Sequence, residues 1–296
     1  MSLDASSEPP ERASFWLSLQ GCEYSVSWET IDGVRTRLIR AGDPTAPVVI
    51  CLHGTGGHAE AFVQNIAALS RSFCVVAYDL PGHGWSDAPE RSYEIDGYVR
   101  HLTALLNDLG IELASFVGQS LGGWIAARLA LSSPALVDRL VLVAPGGAAS
   151  DPVVMERIRQ SSMAAATGSS WQAVADRVTW IWGNPTTVPQ ELVACRYAIY
   201  HQAHGAERMQ KVLTLQDPLV RQRNTISDDD WGRLSQATLL VWGDRDQVVP
   251  LSVGQRLDRL IPSATLLLLS GAGHWPQFEQ AAAFNTALMD FLGGQR

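Results

Sequence analysis

Short, continuous apolar segments alternate with segments of helical periodicity along most of the chain, and this alternation constrains the fold more than any other feature. The apolar segments span residues 47–53, 73–80, 114–120, 137–145, 237–244 and 264–274. The helical patterns between and after them predict helices over about 58–70, 96–109, 121–133, 251–260 and 277–292. Strands that are apolar on both faces are typical of a parallel sheet covered by helices. Two earlier segments flank the turn Asp32-Gly33 and predict an antiparallel hairpin at the sheet edge. The sequence therefore predicts an α/β fold with a mostly parallel, twisted sheet flanked by helices.

The alternation stops between residues 148 and 236, where helical patterns continue but no strand-like apolar segment occurs. Open parallel sheets bind ligands beyond the carboxyl ends of their strands, so an insertion that leaves from this edge would cover a binding site. The 296 residues suffice for one core with such an insertion. We predict an N-terminal tail at 1–22, a core formed by 23–147 and 237–296, and a helical lid at 148–236.

Composition and charge exclude several classes of partner. The formal net charge is −8, and Lys and Arg are scattered rather than clustered, which disfavours nucleic acid and anionic membranes. No apolar segment approaches the roughly 20 residues of a membrane span, and the polar N-terminus lacks a signal-peptide core, so we expect a cytoplasmic protein. The four cysteines are not at metal-ligand spacing. We expect no metal, no cofactor and a small-molecule substrate, and the sequence leaves homo-oligomerisation open.

A serine stands where the strand predicted over 114–120 gives way to the next helix. Gly118 and Gly122 flank Ser120 in the pattern G-x-S-x-G. Between a strand and a helix, this pattern predicts a tight turn that holds the serine hydroxyl free at the positive end of the helix. The two glycines have no side chain that would clash with the strand and helix next to the turn. Ser120 is therefore a candidate nucleophile.

A candidate acid and a candidate base follow this serine along the chain. A serine hydroxyl needs a base to take its proton, and the base needs an orienting carboxylate. In this architecture the acid and then the histidine follow the serine. Asp244 and Asp246 lie at the end of the strand predicted over 237–244, and His274 lies at the end of the last apolar segment. Their order and placement predict a triad with Ser120.

Five motifs make the chain resemble the α/β-hydrolase superfamily. They are HGTGG (53–57), YDLPGHGWSD (78–87), GQSLGG (118–123), WGDRDQVVP (242–250) and GAGHWPQFE (271–279). The resemblance runs from about residue 23 to residue 293 and implies that Asp246 is the acid of the triad, with Asp244 in the turn. An oxyanion hole needs two N–H donors. The serine motif assigns one to Leu121, and the resemblance implies that Thr55 supplies the other.

Within this superfamily, three segments are similar to the meta-cleavage-product hydrolases, which cleave a carbon–carbon bond in ring-opened catechols. The segments are LVLVAPGG (140–147), PQELVACRY (189–197) and GHWPQFE (273–279). The similarity implies that Arg196 binds the substrate carboxylate and that Trp275, beside the base, lines the pocket. Gln119 is a further candidate for substrate binding, in a position where that family usually has asparagine. Ala61 stands near the position of a second asparagine of the family.

The predicted function is hydrolysis of a carbon–carbon bond in a 2-hydroxy-6-oxo-dienoate, a step of aromatic catabolism, by Ser120, Asp246 and His274. The alternative is a carboxylesterase or lactonase that acts on a small apolar ester, with the same triad and no need for Arg196. From a different class, the fold can serve as a non-catalytic ligand receptor. The complete set of triad residues disfavours the receptor.

Overall fold

The computed structural model of the chain describes residues 14–91, 93–168 and 170–294. Its centre is one sheet of eight strands: β1 (Tyr24–Ile31), β2 (Val34–Ala41), β3 (Val48–Leu52), β4 (Cys74–Tyr78), β5 (Ala114–Gln119), β6 (Val137–Val143), β7 (Ala237–Gly243) and β8 (Ala264–Leu269). The strands lie in the order β1-β2-β4-β3-β5-β6-β7-β8. The β1–β2 and β2–β4 pairs are antiparallel, and all other neighbours are parallel. The mostly parallel sheet predicted from the alternation is confirmed.

The hairpin at the sheet edge turns through Asp32 and Gly33. Ile31 pairs with Val34, so the loop has two residues. Asp32 has φ 47° and Gly33 has φ 74°, the left-handed backbone that a type I′ turn requires at both central positions. Glycine adopts this backbone without strain because it has no Cβ. The predicted hairpin is therefore present, and β1 is the outer strand of the sheet.

Thirteen α-helices are found in the described part of the chain. They are α1 (Phe15–Leu19), α2 (Val63–Leu69), α3 (Ile95–Asp108), α4 (Leu121–Ser132), α5 (Pro152–Thr167), α6 (Trp171–Trp180), α7 (Gln190–Tyr200), α8 (Gly205–Val212), α9 (Pro218–Asn224), α10 (Asp228–Trp231), α11 (Leu251–Leu260), α12 (Pro276–Glu279) and α13 (Ala281–Gly293). Around the sheet, α2 packs against α13 and α3 packs against α4. Helices α5 to α10 all lie between β6 and β7, within the segment predicted to be a lid. The described residues of that segment contain no strand.

The parallel strands β3 to β7 are largely buried on both faces, as their continuous apolar segments predict. The edge strand β8 is instead partly exposed. All six residues of β5 are buried, and so are six of the seven residues of β7. Burying one Val or Leu side chain contributes about 1.5–3 kcal/mol to stability, so these strands form a rigid platform. The loops at their carboxyl ends carry the candidate residues Ser120, Asp246 and His274.

Three predicted elements differ in detail from the structure. The last apolar segment, 264–274, forms a strand only to Leu269, because Gly271 has φ 81° and turns the chain. The helix predicted over 277–292 is divided into α12 and α13 at Gln280, which has φ −126°. The helix predicted over 58–70 begins as a 3-10 turn. Apolar side chains continue into the 3-10 turn and through residues 272–278 because these parts of the chain are also buried.

The N-terminal segment 1–22, predicted to be a tail, is described only in part. Residues 1–13 lie outside the described residues, whereas α1 packs against α2 and buries Leu19. None of the described helices has the length and apolar content needed to cross a membrane.

Candidate active site

Ser120 occupies a strained turn between β5 and α4. Its backbone has φ 51° and ψ −110°, a conformation that costs about 1–3 kcal/mol for a residue with a Cβ. Two backbone hydrogen bonds hold the turn: Ser120 N–H donates to Val143 O at 2.9 Å, and Gly146 N–H donates to Ser120 O at 2.8 Å. The sharp turn predicted from the serine motif is therefore present, and neighbouring strands maintain its strain.

The glycines of the motif are required by close packing. A Cβ on Gly118 would lie 2.5 Å from Gly122 O, and a Cβ on Gly122 would lie 2.0 Å from Leu52 O. Neither backbone oxygen can move without breaking the strand or helix to which it belongs. The two glycines thus let β5, α4 and β3 converge beneath Ser120.

Asp246 and His274 form a buried pair at the ends of β7 and β8. His274 Nδ1 and Asp246 Oδ2 are 2.8 Å apart. Asp246 Oδ1 accepts the N–H groups of Val248 at 2.7 Å and Val249 at 3.0 Å. Because an ionised carboxylate can only accept hydrogen bonds, Nδ1 of His274 carries the proton and Nε2 is left as the basic nitrogen. The backbone N–H of His274 donates to Ile181 O at 2.8 Å, which ties the base to the start of the loop after α6.

Ser120, His274 and both predicted oxyanion residues, Thr55 and Leu121, line one cleft with about 860 Å³ of space free of protein atoms. Leu121 is the first residue of α4, so its N–H has no acceptor within the helix. In the described part of the structure, the Thr55 N–H also has no hydrogen-bond acceptor. Both amides are therefore available as donors at the edge of the cleft.

His53 begins the first loop, which is formed by residues 53–57 after β3, and its side chain holds that loop in place. Its Nε2 accepts the Leu80 N–H at 3.1 Å, so its Nδ1 carries the proton and donates to Gly54 O at 2.8 Å. Burial lowers the pKa of His53 well below its ordinary value. This histidine is neutral and has no free nitrogen, so it cannot compete with His274 for the role of base.

Gln119 lines the cleft and also contacts the loop of the base. Its Nε2 donates to His274 O at 3.1 Å, while its Oε1 has no partner among the described residues. A Cβ on Gly54 would lie 2.2 Å from that Oε1, so the glutamine amide is packed directly against the first loop. Gln119 is predicted to bind substrate, but its side-chain N–H group is already used to join β5 to the loop that carries His274.

Arg196 and Trp275 are in contact within the same cleft. Arg196 lies on α7, is 1% exposed, and has its guanidinium carbon 4.6 Å from the centre of the Trp275 ring. Its Nε and Nη1 atoms lack hydrogen-bond partners in the described residues, and it forms no ion pair with them. A buried cation without an anion is costly. The site therefore suits a negatively charged ligand.

Two further residues at the site were not anticipated. Arg177 on α6 lines the cleft and is 5% exposed. Glu279 on α12 accepts N–H groups from Gly183, Gly273 and Trp275. Glu279 is the last residue of the motif GAGHWPQFE, so the sequence carried a signal for it. No local pattern distinguishes Arg177 from a surface arginine.

One cluster has the residue types of a metal site. Ligand atoms of His58, Glu60 and Cys195 lie within 4.8 Å of one another. Both Glu60 oxygens, however, accept from the Arg37 guanidinium at 2.5 and 3.1 Å. Burial lowers the pKa of His58, but Cys195 and Glu60 raise it to about 10. Glu60 thus pairs with Arg37 and also with His58, whose Nδ1 lies 2.9 Å from Glu60 Oε2. We therefore interpret the cluster as an ion-pair network behind the first loop.

Comparison with known proteins places this geometry among hydrolases. Residues 47–281 match the family described as alpha/beta hydrolase fold. A 2-hydroxy-6-oxononadienedioate/2-hydroxy-6-oxononatrienedioate hydrolase of Paraburkholderia phymatum is 33% identical over 263 residues, which cover 83% of this chain and 86% of the relative. A 2-hydroxy-6-oxo-2,4-heptadienoate hydrolase of Pseudomonas putida is 27% identical over 286 residues, covering 89% of this chain and 94% of the relative.

A solved structure is also similar to this chain over nearly its whole length. The 2-hydroxy-6-oxo-6-phenylhexa-2,4-dienoate hydrolase of Rhodococcus sp. strain RHA1 matches with a TM-score of 0.82 and 27% identity. The match covers 92% of this chain and all of the other. The similarity to meta-cleavage-product hydrolases therefore extends from three short segments to nearly the whole chain.

Proposed function

Because this chain belongs to the alpha/beta hydrolase fold family and is a hydrolase, we propose that it hydrolyses a carbon–carbon bond in a 2-hydroxy-6-oxo-dienoate. The observation that carries the proposal is Arg196, a buried guanidinium that has no anionic partner among the described residues and lies in the cleft that also holds Ser120. A dienoate brings a carboxylate that would pair with this cation. The relatives described above, which are named for such substrates, support the same assignment.

In this proposal Ser120, His274 and Asp246 form the catalytic triad. Nε2 of His274 takes the proton of the Ser120 hydroxyl or of a water molecule, and Asp246 stabilises the resulting imidazolium through the 2.8 Å hydrogen bond. The oxygen of the attacked carbonyl then develops negative charge. The N–H groups of Leu121 and Thr55 are the proposed donors to that oxygen.

The proposed reaction needs two further steps because carbon is a poor leaving group. With its carboxylate on Arg196, the dienol first loses the proton of its 2-hydroxyl and gains one at C5, which gives the keto form. Attack on the C6 carbonyl is followed by cleavage of the C5–C6 bond, whose electron pair passes into the conjugated ketone. Overall, water adds OH to the acyl carbon and H to the dienoate fragment.

We propose that residues 148–236 act as a lid over this reaction. Arg196 and Arg177 are contributed by helices of this segment, whereas Ser120, Asp246 and His274 lie on loops of the sheet. The hydrogen bond between His274 N–H and Ile181 O joins the two parts at the base. Closure of such a segment would exclude water and bring the arginine that binds the substrate close to the triad.

Ester hydrolysis is the alternative, and two observations favour it. Ala61 offers no polar side chain, and the Gln119 amide already donates to His274 O. A dienoate would thus find fewer polar partners here than the related family usually provides. An ester or lactone needs only the triad and the two oxyanion donors.

The deciding experiment compares kcat/KM for a coloured dienoate and for a short p-nitrophenyl ester. We expect the wild type to prefer the dienoate and Ser120→Ala to lower kcat for both substrates by about 10³-fold or more. Arg196→Met removes a charge-assisted hydrogen bond worth about 1.5–3 kcal/mol, so it should lower kcat/KM for the dienoate by about 10- to 100-fold and spare the ester.

The matched control is Arg233→Met, which removes an arginine from an exposed part of the same segment and should change neither substrate. An inert dienoate together with an ester activity that is insensitive to Arg196→Met would identify an esterase instead.

A further inference from the structure

The cleft contains a second buried arginine that the proposed reaction does not use. Arg177 lines the same cleft as Ser120 and is 5% exposed. Its Nε donates to Ser162 Oγ at 3.1 Å, but its Nη1 is buried without a hydrogen-bond partner among the described residues. Burial, and to a smaller extent the charge of Arg196, lower the pKa of Arg177 to about 10, so it remains a cation at neutral pH.

The other charged side chains of the cleft do not neutralise Arg177. Asp151 is the acidic residue that lines the cleft, and its Oδ1 accepts the N–H groups of Val153 and Val154 as the N-cap of α5. Arg221 also lines the cleft, but its guanidinium donates to Ala149 O and Leu215 O. The cleft therefore holds two arginines with free donors, Arg177 and Arg196, and no acid that pairs with either in the described chain.

Trp180 does not explain the burial of Arg177. The Arg177 guanidinium carbon lies 5.2 Å from the centre of the Trp180 ring, but the exposed Arg157 lies closer to the same ring, at 4.4 Å. The Trp180 ring thus already has a cation–π partner, Arg157, which stays exposed to solvent. Placing a second guanidinium inside the cleft carries a desolvation cost, which a bound anion would offset.

The position of Arg177 indicates which part of the substrate it faces. Arg177 and Ile181 are four residues apart, so their side chains leave the same side of the helical turn, about 5–6 Å apart. Ile181 O accepts the His274 N–H, and Ile181 itself lines the cleft. A chain that extends from the reacting carbonyl past Ile181 would reach Arg177 along a wall that includes Met155 and Ile158.

Building on the proposed function, we infer that the substrate carries a second carboxylate on its acyl part and that Arg177 binds it. Arg196 would hold the dienoate carboxylate and Arg177 the distal one. Hydrolysis adds OH to the acyl carbon and H to the dienoate fragment, so the acyl part leaves as a dicarboxylic acid. Arg177 thereby selects dianionic over monoanionic substrates.

The test compares kcat/KM for 2-hydroxy-6-oxonona-2,4-dienedioate with kcat/KM for 2-hydroxy-6-oxohepta-2,4-dienoate. We expect the wild type to prefer the dianion and Arg177→Met to lower the ratio of the two values by about 30-fold, mainly through KM for the dianion. Arg177→Lys keeps the charge and should recover part of the ratio. A ratio that Arg177→Met leaves within twofold of the wild type would overturn the inference.

The control is Arg157→Met, which removes the exposed cation from the same Trp180 ring and should leave the ratio unchanged. Failure of the proposed function has a different signature, since the wild type would then hydrolyse neither dienoate. In that case calorimetry on Ser120→Ala would compare succinate, the four-carbon acyl part of the dianion, with butyrate. Preferential binding of succinate that is lost in Arg177→Met would support the anion site, and equal binding of the two acids would overturn it.

Discussion

Glu279 links two chain segments that meet beside the proposed base. Its carboxylate accepts the N–H groups of Gly183 at 2.7 Å, Gly273 at 3.0 Å and Trp275 at 3.1 Å. Burial raises the pKa of Glu279 above its ordinary value, although these N–H groups favour the ionised form. Because Gly273 and Trp275 flank His274, we expect the carboxylate to act as a positioning residue for the imidazole.

Removal of this acceptor should affect turnover more than binding. Glu279→Ala leaves three N–H groups without their acceptor, at a cost of about 1–3 kcal/mol for each that stays buried. We expect kcat to fall by about tenfold with a smaller change in KM, together with a lower melting temperature. Glu279→Gln retains one acceptor oxygen and should recover part of kcat.

Glu207→Ala is the control, since the Glu207 side chain is 74% exposed on α8. If kcat for Glu279→Ala matched that of this control, the loop would hold His274 without help from the carboxylate.

At the scale of elements, the approach of α4 to β3 depends on one missing side chain. A Cβ at Gly122 would lie 2.0 Å from Leu52 O and 2.5 Å from the Leu52 carbonyl carbon. Leu52 is the last residue of β3 and pairs with both Tyr78 and Gly118. The strand cannot yield without distorting two ladders, so α4 would have to move and take the Ser120 turn with it.

Gly122→Ala should therefore destabilise the fold even though alanine favours helices. We expect the free energy of unfolding to fall by about 2–3 kcal/mol or more, as for overpacked cores. Gly293→Ala provides the matched change at the end of α13, where no atom lies within 4 Å of the added Cβ. It should be neutral or stabilise the protein by about 0.5–1 kcal/mol. Urea unfolding of both variants measures the difference, and equal effects would contradict the packing argument.

Across the whole molecule, three histidines outside the proposed triad are buried in their neutral form. Burial lowers the pKa of His83 and of His101 to about 4 and the pKa of His53 further. His101 Nε2 lies 3.0 Å from Thr36 Oγ1, whose hydroxyl donates to Val34 O, so Nε2 is the donor of that bond. In the unfolded chain these histidines take up protons near pH 6.5.

Through these three histidines the unfolded state binds more protons than the native state below pH 6.5, so stability falls as pH falls. His58 stays protonated in the folded chain and opposes this loss, but it offsets only one of the three histidines. Each histidine contributes a loss of up to about 1.4 kcal/mol per pH unit down to its folded pKa. We expect the melting temperature to decrease steeply from pH 6.5 to pH 5, and less steeply in His101→Gln, which keeps a donor to Thr36. The exposed His204 supplies the control His204→Gln, whose pH profile should follow that of the wild type. A profile that is flat over this range would contradict the neutral state of these histidines.

The sequence by itself determined the sheet, the hairpin and the place of the sharp turn. Each depends on neighbouring residues: a strand buried on both faces needs consecutive apolar side chains, and a type I′ turn needs residues such as Asp32 and Gly33 that tolerate left-handed backbone. The order of Ser120, Asp246 and His274 along the chain was likewise readable, because the fold places successive strand ends at one edge of the sheet. These features follow from chemistry within short segments.

Only the tertiary structure decided what the buried charges face. Arg177 and Arg196 come from two helices, and nothing near either residue in sequence indicates whether an acid pairs with it in the folded chain. The same is true of Glu279, whose three hydrogen bonds join segments from opposite sides of β7 in the chain. The free energy of a buried charge depends on the other charges and dipoles that packing brings within a few ångströms. Those neighbours come from distant parts of the sequence, so a local pattern cannot specify them.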